Sequence, residues 1–358
     1  MRGEPPPSLL PSLRDVPLVC PICRGELEGL AGAFACPSCG KTYPLQGGIP
    51  DFRIFPDPYL SLDEDRERTE KVLAALDRPF SELLEYYWSL SDVTPEPLRA
   101  RFVRSALLGQ ERARHLLQIL EDGTFHSRVS AGSVLEIGSG SGPFLAEASG
   151  RFKRLVGIDI GMRWLHLSRR RFVENGLEVP ALVCCCAEHL PFPDGTFDLA
   201  VASATLEFAR DQARVLAECA RVLAADGSAL VSTVNRFSLA PEPHVSLWGV
   251  GFLPRSWQAP YVRWRRRASF ENIRLLSYWE LDRLASRFFA GREFALGDVS
   301  NACLDRLRPA EKLKVRAYRA AKGLRPLAAL LRWLGPEWDV KLSKRLSPPV
   351  GHGVPDAF

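Results

Sequence analysis

The stretch VLEIGSGSG, Val134 to Gly142, decides the fold. Val134-Leu135-Glu136-Ile137 reads as a buried strand, and the glycines behind it permit a tight turn with no Cβ in the way. A helix over Pro143–Ser149 follows. Outward from there, Arg154–Asp159 reads as a second strand leading into a helix that runs through Arg171. Ala181–Cys186 is a third strand and Phe197–Ser203 a fourth. A helix over Asp211–Leu223 then feeds a fifth strand, Ala229–Val234. Strands alternating with helical text make a parallel sheet covered on both faces, so the expected class is α/β, doubly wound.

The same turn carries the first chemical signal. Gly138, Gly140 and Gly142 let the backbone approach a ligand, and Asp159 ends the next strand, where a carboxylate accepts both hydroxyls of a ribose. Alone, this suits a dinucleotide or S-adenosylmethionine equally. Glu136 stands two residues before the first glycine, a poor neighbour for a pyrophosphate and a reasonable one for an ammonium and a sulfonium. The text AEHLPFPDGTFD, Ala187 to Asp198, joins the third and fourth strands and offers apolar and backbone groups to an adenine at the carboxyl edge of the sheet.

VLEIGSGSG, GIDIG (Gly157–Gly161), AEHLPFPDGTFD and RVLAADG (Arg221–Gly227) together resemble class I S-adenosylmethionine-dependent methyltransferases, in the group that includes the ubiquinone and menaquinone methyltransferases. The resemblance runs from about Gly132 to Asn235. It implies a Rossmann-like, mostly parallel seven-stranded sheet, with a sixth strand near Phe294–Val299 and a last, antiparallel strand over Trp338–Ser343. It further implies that Glu136, Gly138, Ser139, Gly140 and Gly142 hold the methionine part of the cofactor. Asp159 would take the ribose hydroxyls, Ile160 or Met162 would pack beside the adenine, Ala187 and Glu188 would meet it, and Ser203 would face the cofactor. Two departures stand out: Cys186 occupies a position that is often Asp in this group, and Glu207-Phe208 stand where many relatives have His. The run Cys184-Cys185-Cys186 invites comparison with the arsenic-binding cysteines of arsenite methyltransferases. On a strand, however, Cys185 points away from the other two, and the trio reads as small buried hydrophobes.

Four further cysteines form CPIC–x12–CPSC. Cys20, Cys23, Cys36 and Cys39 have the spacing of a tetrahedral zinc ribbon, each pair presenting two thiolates from a tight turn. The text from Gly40 to Phe52 is similar to the small zinc-binding domain that activates tRNA and protein methyltransferases. The expected organisation is a disordered tail (1–12), the zinc ribbon (13–55), a helical linker or cap (56–128), the cofactor-binding core (129–235), a substrate lid (236–275) and a C-terminal unit that completes the sheet with a basic helical segment (276–358).

The chain has 358 residues, 46% of them hydrophobic and 25% charged, with a net charge of +5, which excludes a disordered or fibrous protein. No apolar run is long enough to span a membrane and no secretion signal is evident, so the expected location is the cytoplasm, with peripheral membrane contact as a variant. Residues 301–345 hold 12 Lys and Arg against 4 Asp and Glu. On the acceptor side, His244 is the candidate base, with Glu242 to orient it, Glu207 as a rival and Asn235 to orient an acceptor. Trp248, Phe252, Trp257 and Trp264 in the lid favour an apolar small-molecule acceptor of quinone, polyketide or isoprenoid type. The alternative acceptor is RNA, because a zinc ribbon ahead of this fold also resembles a bacterial ribosomal RNA guanine methyltransferase. Oligomeric state is not legible.

Overall fold

A computed structural model describes residues 6, 8–91, 94–121, 132–298, 304 and 309–344. The chain opens on four short antiparallel strands, β1 (Glu28–Leu30), β2 (Ala33–Ala35), β3 (Thr42–Gln46) and β4 (Ile49–Pro50). Strands this short bury little alone. Their aromatic residues compensate by stacking inward, Phe52 lying 5.8 Å from Phe34 and 4.9 Å from Tyr43. These rings join the apolar core of the large sheet rather than a separate one. The expectation of a disordered tail over 1–12 fails for its described part. Leu9 is buried, Leu10 N–H donates to the Gly48 carbonyl at 3.1 Å, and a single turn over Pro11–Leu13 buries Leu13. Its leucines find the ribbon and the sheet, an outcome that a proline-rich composition hides; residues 1–5 and 7 lie outside the described residues.

Three helices follow, α1 (Leu62–Leu73), α2 (Phe80–Ser89) and α3 (Glu96–Glu121). Ser61 and Glu64 close a capping box on α1, satisfying two N–H groups that helix geometry leaves open. Val72, Leu83, Leu84 and Tyr87 form a small core with Leu167, while Leu116, Leu117 and Leu120 pack on the sheet beside Phe144.

The large sheet is built from β5 (Ser133–Ile137), β6 (Arg154–Asp159), β7 (Ala181–Cys184), β8 (Phe197–Ser203), β9 (Leu223–Val234), β10 (Gly291–Leu296) and β11 (Glu337–Ser343). Between them run α4 (Pro143–Ala148), α5 (Met162–Glu174), α6 (Gln212–Val222), α7 (Arg255–Arg266), α8 (Tyr278–Ala285), α9 (Pro309–Gly323) and α10 (Arg325–Leu334). The strand order is β10-β11-β9-β8-β5-β6-β7, with β11 antiparallel to both neighbours and β5 to β9 parallel. The doubly wound, seven-stranded expectation therefore holds.

The sixth strand runs over Gly291–Leu296, earlier than the expected Phe294–Val299, and two others differ from their expected limits for physical reasons. The fifth begins at Leu223, opposite Phe197, because the Ala225-Asp226-Gly227 turn is absorbed as an irregularity inside the strand. The third stops at Cys184, because the chain leaving the ribbon takes over its edge. Asp51 bridges to Cys184, and Phe52 N–H donates to the Cys184 carbonyl at 2.7 Å. An edge strand is thus covered rather than left open. Arg24 bolts the ribbon to α6, donating to both oxygens of Glu218 at 2.7 Å and to the Leu190 carbonyl at 2.6 Å.

The lid has its own core of Val245, Leu247, Val250, Val262 and Phe270. Its large aromatics do not line an enclosed pocket: Trp248, Phe252, Trp257 and Trp264 are exposed. Among the described residues, no helix is long and apolar enough to cross a membrane.

Candidate active site

The loop Gly138–Gly142 turns the end of β5 into α4. Gly138 N–H and Ser139 N–H both donate to the Ile158 carbonyl, at 2.9 and 2.8 Å, which ties the loop to the end of β6. Gly138 and Gly142 have φ of +73° and +71°, and a Cβ there would meet Thr205 Oγ1 at 2.3 Å and Ser168 Oγ at 2.1 Å. Gly140 (φ +51°) instead faces open space, so no neighbouring side chain bars a ligand from this part of the loop. Arg171 braces the loop from beneath, donating to the Ser141 carbonyl at 2.7 Å and to the Ala106 carbonyl at 2.9 Å. Gly142→Ala, strained and clashing with Ser168, is expected to displace the loop and weaken cofactor binding at least tenfold in calorimetry.

The loop is flanked by two acids. Glu136 is buried and its Oε2 has no hydrogen-bond partner; burial, and then the charge of Asp159, push its carboxyl well above the usual range. Ser139 Oγ is likewise unpartnered. Asp159 accepts from Gly140 N–H at 2.9 Å and Gly161 N–H at 2.8 Å. Removal from water still raises its carboxyl to about 6, against the pull of those N–H groups and Arg163. An orphaned carboxylate beside an open glycine, with a second carboxylate one strand over, fits a ligand that carries a cation and a vicinal diol.

On the adenine side the structure separates the expected residues. Ile160 is half-buried beside Asp159, whereas Met162 is fully buried among Ile49, Leu145, Leu165 and Leu182 and offers no surface to a ligand. Ala187 is half-buried. The Glu188 carboxylate turns away to accept from Arg210 and Asp211 N–H, at 2.9 and 3.3 Å, at the start of α6. Cys186 is occupied by residues leaving the ribbon: its Sγ accepts from Ile54 N–H at 3.4 Å and donates to the Phe55 carbonyl at 3.5 Å. Cys184, Cys185 and Cys186 are all buried, with Cys184 and Cys185 in different clusters, as strand alternation requires.

Residues 51–59 form a strap across the carboxyl ends of the strands. After Cys184 and Cys186, Arg210 donates to the Pro56 carbonyl at 2.9 Å and Asn272 of the lid to the Pro58 carbonyl at 2.7 Å. A buried ionic network holds it: Arg53 pairs with Asp51 and Asp65 and donates to the Ile160 carbonyl, while Arg163 pairs with Asp57 and Asp65. Beyond Phe52 no motif announces this strap, and its partners on the sheet and the lid lie more than a hundred positions away.

At the acceptor side, Glu207, His244 and Glu242 come together. Glu207 Oε2 accepts from Thr233 Oγ1 at 3.0 Å, its Oε1 has no hydrogen-bond partner, and His244 Nε2 stands 3.7 Å from that oxygen. His244 Nδ1 bonds Glu242 Oε1, and Glu242 Oε2 accepts from Val245 N–H at 2.9 Å. Burial lowers the His244 pKa, but the two carboxylates outweigh it and hold it above the ordinary value. Burial raises Glu207 despite His244 and Thr233. Phe208 meets the His244 ring edge-on at 4.9 Å, with Tyr59 of the strap beyond it at 6.4 Å. Asn235, expected to orient an acceptor, does structural work instead. Its amide hydrogens go to the Trp333 and Gly335 carbonyls at 2.8 Å, and its oxygen accepts from Phe237 N–H. Ser203 Oγ accepts from Arg112 Nε at 2.9 Å, and Arg112 also pairs with Glu337. Arg112 escaped sequence reasoning because it sits on a long helix that reads as a solvated cap.

Residues 135–231 match the Methyltransferase domain family. The matched residues hold the loop, Asp159 and Glu207. Among similar curated proteins is a malonyl-[acyl-carrier protein] O-methyltransferase of Halorhodospira halophila, 31% identical over 135 residues, covering 37% of this chain and 44% of that one. A phosphatidylethanolamine N-methyltransferase of Cereibacter sphaeroides is 37% identical over 114 residues, 32% of this chain and 55% of that one. A ubiquinone biosynthesis O-methyltransferase of Thiobacillus denitrificans is 30% identical over 165 residues, 44% of this chain and 61% of that one. The chain thus spans about half the length of the curated relatives it matches.

Ahead of the matched residues, the sulfurs of Cys20, Cys23, Cys36 and Cys39 all lie within 4.8 Å of one another. The pairs Cys20–Cys39 and Cys23–Cys36 are 3.6 and 3.4 Å apart, near the edge of about 3.8 Å for a tetrahedron with ~2.3 Å zinc–sulfur bonds. Burial raises the Cys20 thiol, but hydrogen bonds led by that of Tyr43 bring it down to about 6, while Cys23 and Cys39 are held above the ordinary thiol value.

Proposed function

We propose that the chain is an S-adenosylmethionine-dependent methyltransferase acting on an apolar or lipid-like small molecule of quinone, polyketide or isoprenoid type. The observation that carries this is one continuous edge. Thr205, packed on Gly138, is two residues from Glu207, so the loop that suits the cofactor adjoins the Glu207–His244–Glu242 line. S-adenosylmethionine supplies a methyl group already activated by its sulfonium. Glu136, Gly138, Ser139, Gly140 and Gly142 hold its methionine part, Asp159 its ribose, and Ile160, Ala187 and the strap its adenine. An acceptor hydroxyl or amine docks between Glu207 Oε1 and His244 Nε2. His244 takes its proton, and Glu242 stabilises the resulting imidazolium through Nδ1. The four cysteines hold a structural zinc, and the ribbon, cap, core, lid and closing unit divide the chain as the sequence suggests.

His244→Gln is expected to lower kcat by about 10²–10⁴-fold with cofactor affinity unchanged, the usual loss for a general base. In the intact enzyme, activity should rise with pH through a value above 6.5, because the neutral imidazole is the active form and its pKa is raised. Glu242→Gln should move that limb to lower pH.

RNA is the weaker acceptor because several basic residues of the lid and the C-terminal segment are paired internally. Arg263 pairs with Glu271, and Arg266 donates to the Val245 and Ser246 carbonyls. Arg319 and Lys322 pair with Asp298. Methyl transfer from radiolabelled S-adenosylmethionine into organic, RNA and protein fractions of a cell extract tests the assignment. Label in the organic fraction is expected, and label confined to RNA would overturn it.

A further inference from the structure

We propose that α10 and the adjoining edge of the lid form a docking face for an anionic lipid surface. None of the 10 residues of α10 is buried, although its sequence, RPLAALLRWL, is mostly apolar. Leu324, Leu327 and Leu330 at this helix and Leu239, Trp248 and Phe252 of the lid are all 40–60% exposed. The two pieces are joined. Leu239 N–H donates to the Leu334 carbonyl at 3.0 Å, Trp248 Nε1 donates to the Leu239 carbonyl at 3.1 Å, and the Trp248 and Phe252 rings stack at 6.2 Å. The helix is also anchored from behind. Trp333 stacks on Trp279 at 4.1 Å, Trp338 Nε1 donates to the Arg332 carbonyl at 3.0 Å, and Asn235 holds the carbonyls of Trp333 and Gly335. The face is presented by fixed structure rather than by a frayed end.

A contiguous apolar face of this kind marks an interaction site, and charge selects the partner. The carboxylates around it are already neutralised: Glu280 by Arg255, Asp282 by Arg292, Glu337 by Arg112, and Asp298 by Arg319 and Lys322. Lys314 and Arg316 on α9 and Arg325 and Arg332 on α10 are exposed and have no carboxylate partner among the described residues. Exposed leucines and a tryptophan, with uncompensated cations on the polar side of the same helix and on its neighbour, match an interfacial helix on anionic lipid. RNA fits less well, because leucines offer no ring face on which a base can stack. Asn235 ties the end of α10 to the end of β9, so docking would turn the acceptor side toward the bilayer. The inference rests on surface chemistry alone, and its test reads binding, so it can fail independently of the acceptor assignment.

The test is co-sedimentation of the full chain with phosphatidylglycerol-containing vesicles and with vesicles of phosphatidylcholine alone. Binding to the anionic vesicles, weakened by high salt, is expected; its absence, or binding to RNA without binding to vesicles, overturns the proposal. Leu327→Lys combined with Leu330→Lys adds positive charge while removing apolar anchors. Partition should fall at least tenfold, and partition that stays equal or tightens overturns the docking face. Arg325→Ala with Arg332→Ala should weaken anionic binding severalfold and reduce its salt dependence. Unchanged cofactor affinity by calorimetry verifies that each variant is folded.

Discussion

Asp159→Ala is expected to weaken S-adenosylmethionine binding more than a hundredfold while leaving the melting temperature within a few degrees. The carboxylate ends β6 at the point where the glycine loop meets the sheet, and its oxygens receive Gly140 and Gly161 N–H. A ribose would add two hydroxyl hydrogen bonds to a charged acceptor, each contributing about 1.5–3 kcal/mol. Losing both removes at least ~3 kcal/mol, and each 1.4 kcal/mol is about tenfold in affinity. Stability should change little, since removal from water already disfavours this charge, raising its pKa to about 6. The same fact gives a pH signature. Only the ionised carboxylate accepts from both hydroxyls, so wild-type affinity should fall as the pH drops through about 6. Asp159→Asn, with nothing to protonate, should bind weakly and show no such fall. Titration calorimetry across this range decides the matter, and unchanged affinity in Asp159→Ala would sink the site assignment.

The legible and illegible parts of this molecule divide along sequence distance. The core of the sheet was readable because apolar runs, a glycine turn and intervening helices are local patterns, and β6 and β8 fall on their expected residues. That the four cysteines come together was readable from their paired CxxC spacing. Individual site residues were less so. Met162 and Ile160 stand two positions apart, yet only the packing of α5 on the sheet reveals that one is core and the other half-buried beside Asp159. Asn235 looks like a polar residue at a strand end, and its hydrogen-bond partners lie about a hundred residues away. In sequence the lid aromatics favour an apolar acceptor, whereas smaller residues such as Val245 and Val262 fill the lid's interior and leave the large rings outside.

Replacing Cys20 and Cys36 together by Ser is expected to release zinc, melt the ribbon and, through the strap, weaken cofactor binding. Cys20 and Cys36 are the buried members of the two pairs, so losing both strips the inner half of the ligand set. Structural zinc contributes about 10–16 kcal/mol in small zinc-binding peptides. Four strands of two to five residues bury little by themselves. The Phe34–Tyr43–Phe52 stack would then open, and with it the seat of Phe52 on Cys184. That pairing starts the strap, whose next residues contact Cys186 and the Ile160 carbonyl beside Asp159. Cofactor affinity should therefore fall about tenfold or more even though no cysteine touches the cofactor, an indirect effect of the size expected when one wall of a pocket is lost. Metal analysis, thermal melting and cofactor calorimetry, each before and after chelation, read the three steps separately. Retained zinc would remove the ribbon assignment. Lost zinc with unaltered affinity would keep the ribbon and reject the strap as part of the pocket. Arg53→Ala supplies the complementary case: with the cysteines intact, it should retain zinc yet weaken cofactor binding, because it removes the strap's bonds to Asp51, Asp65 and Ile160.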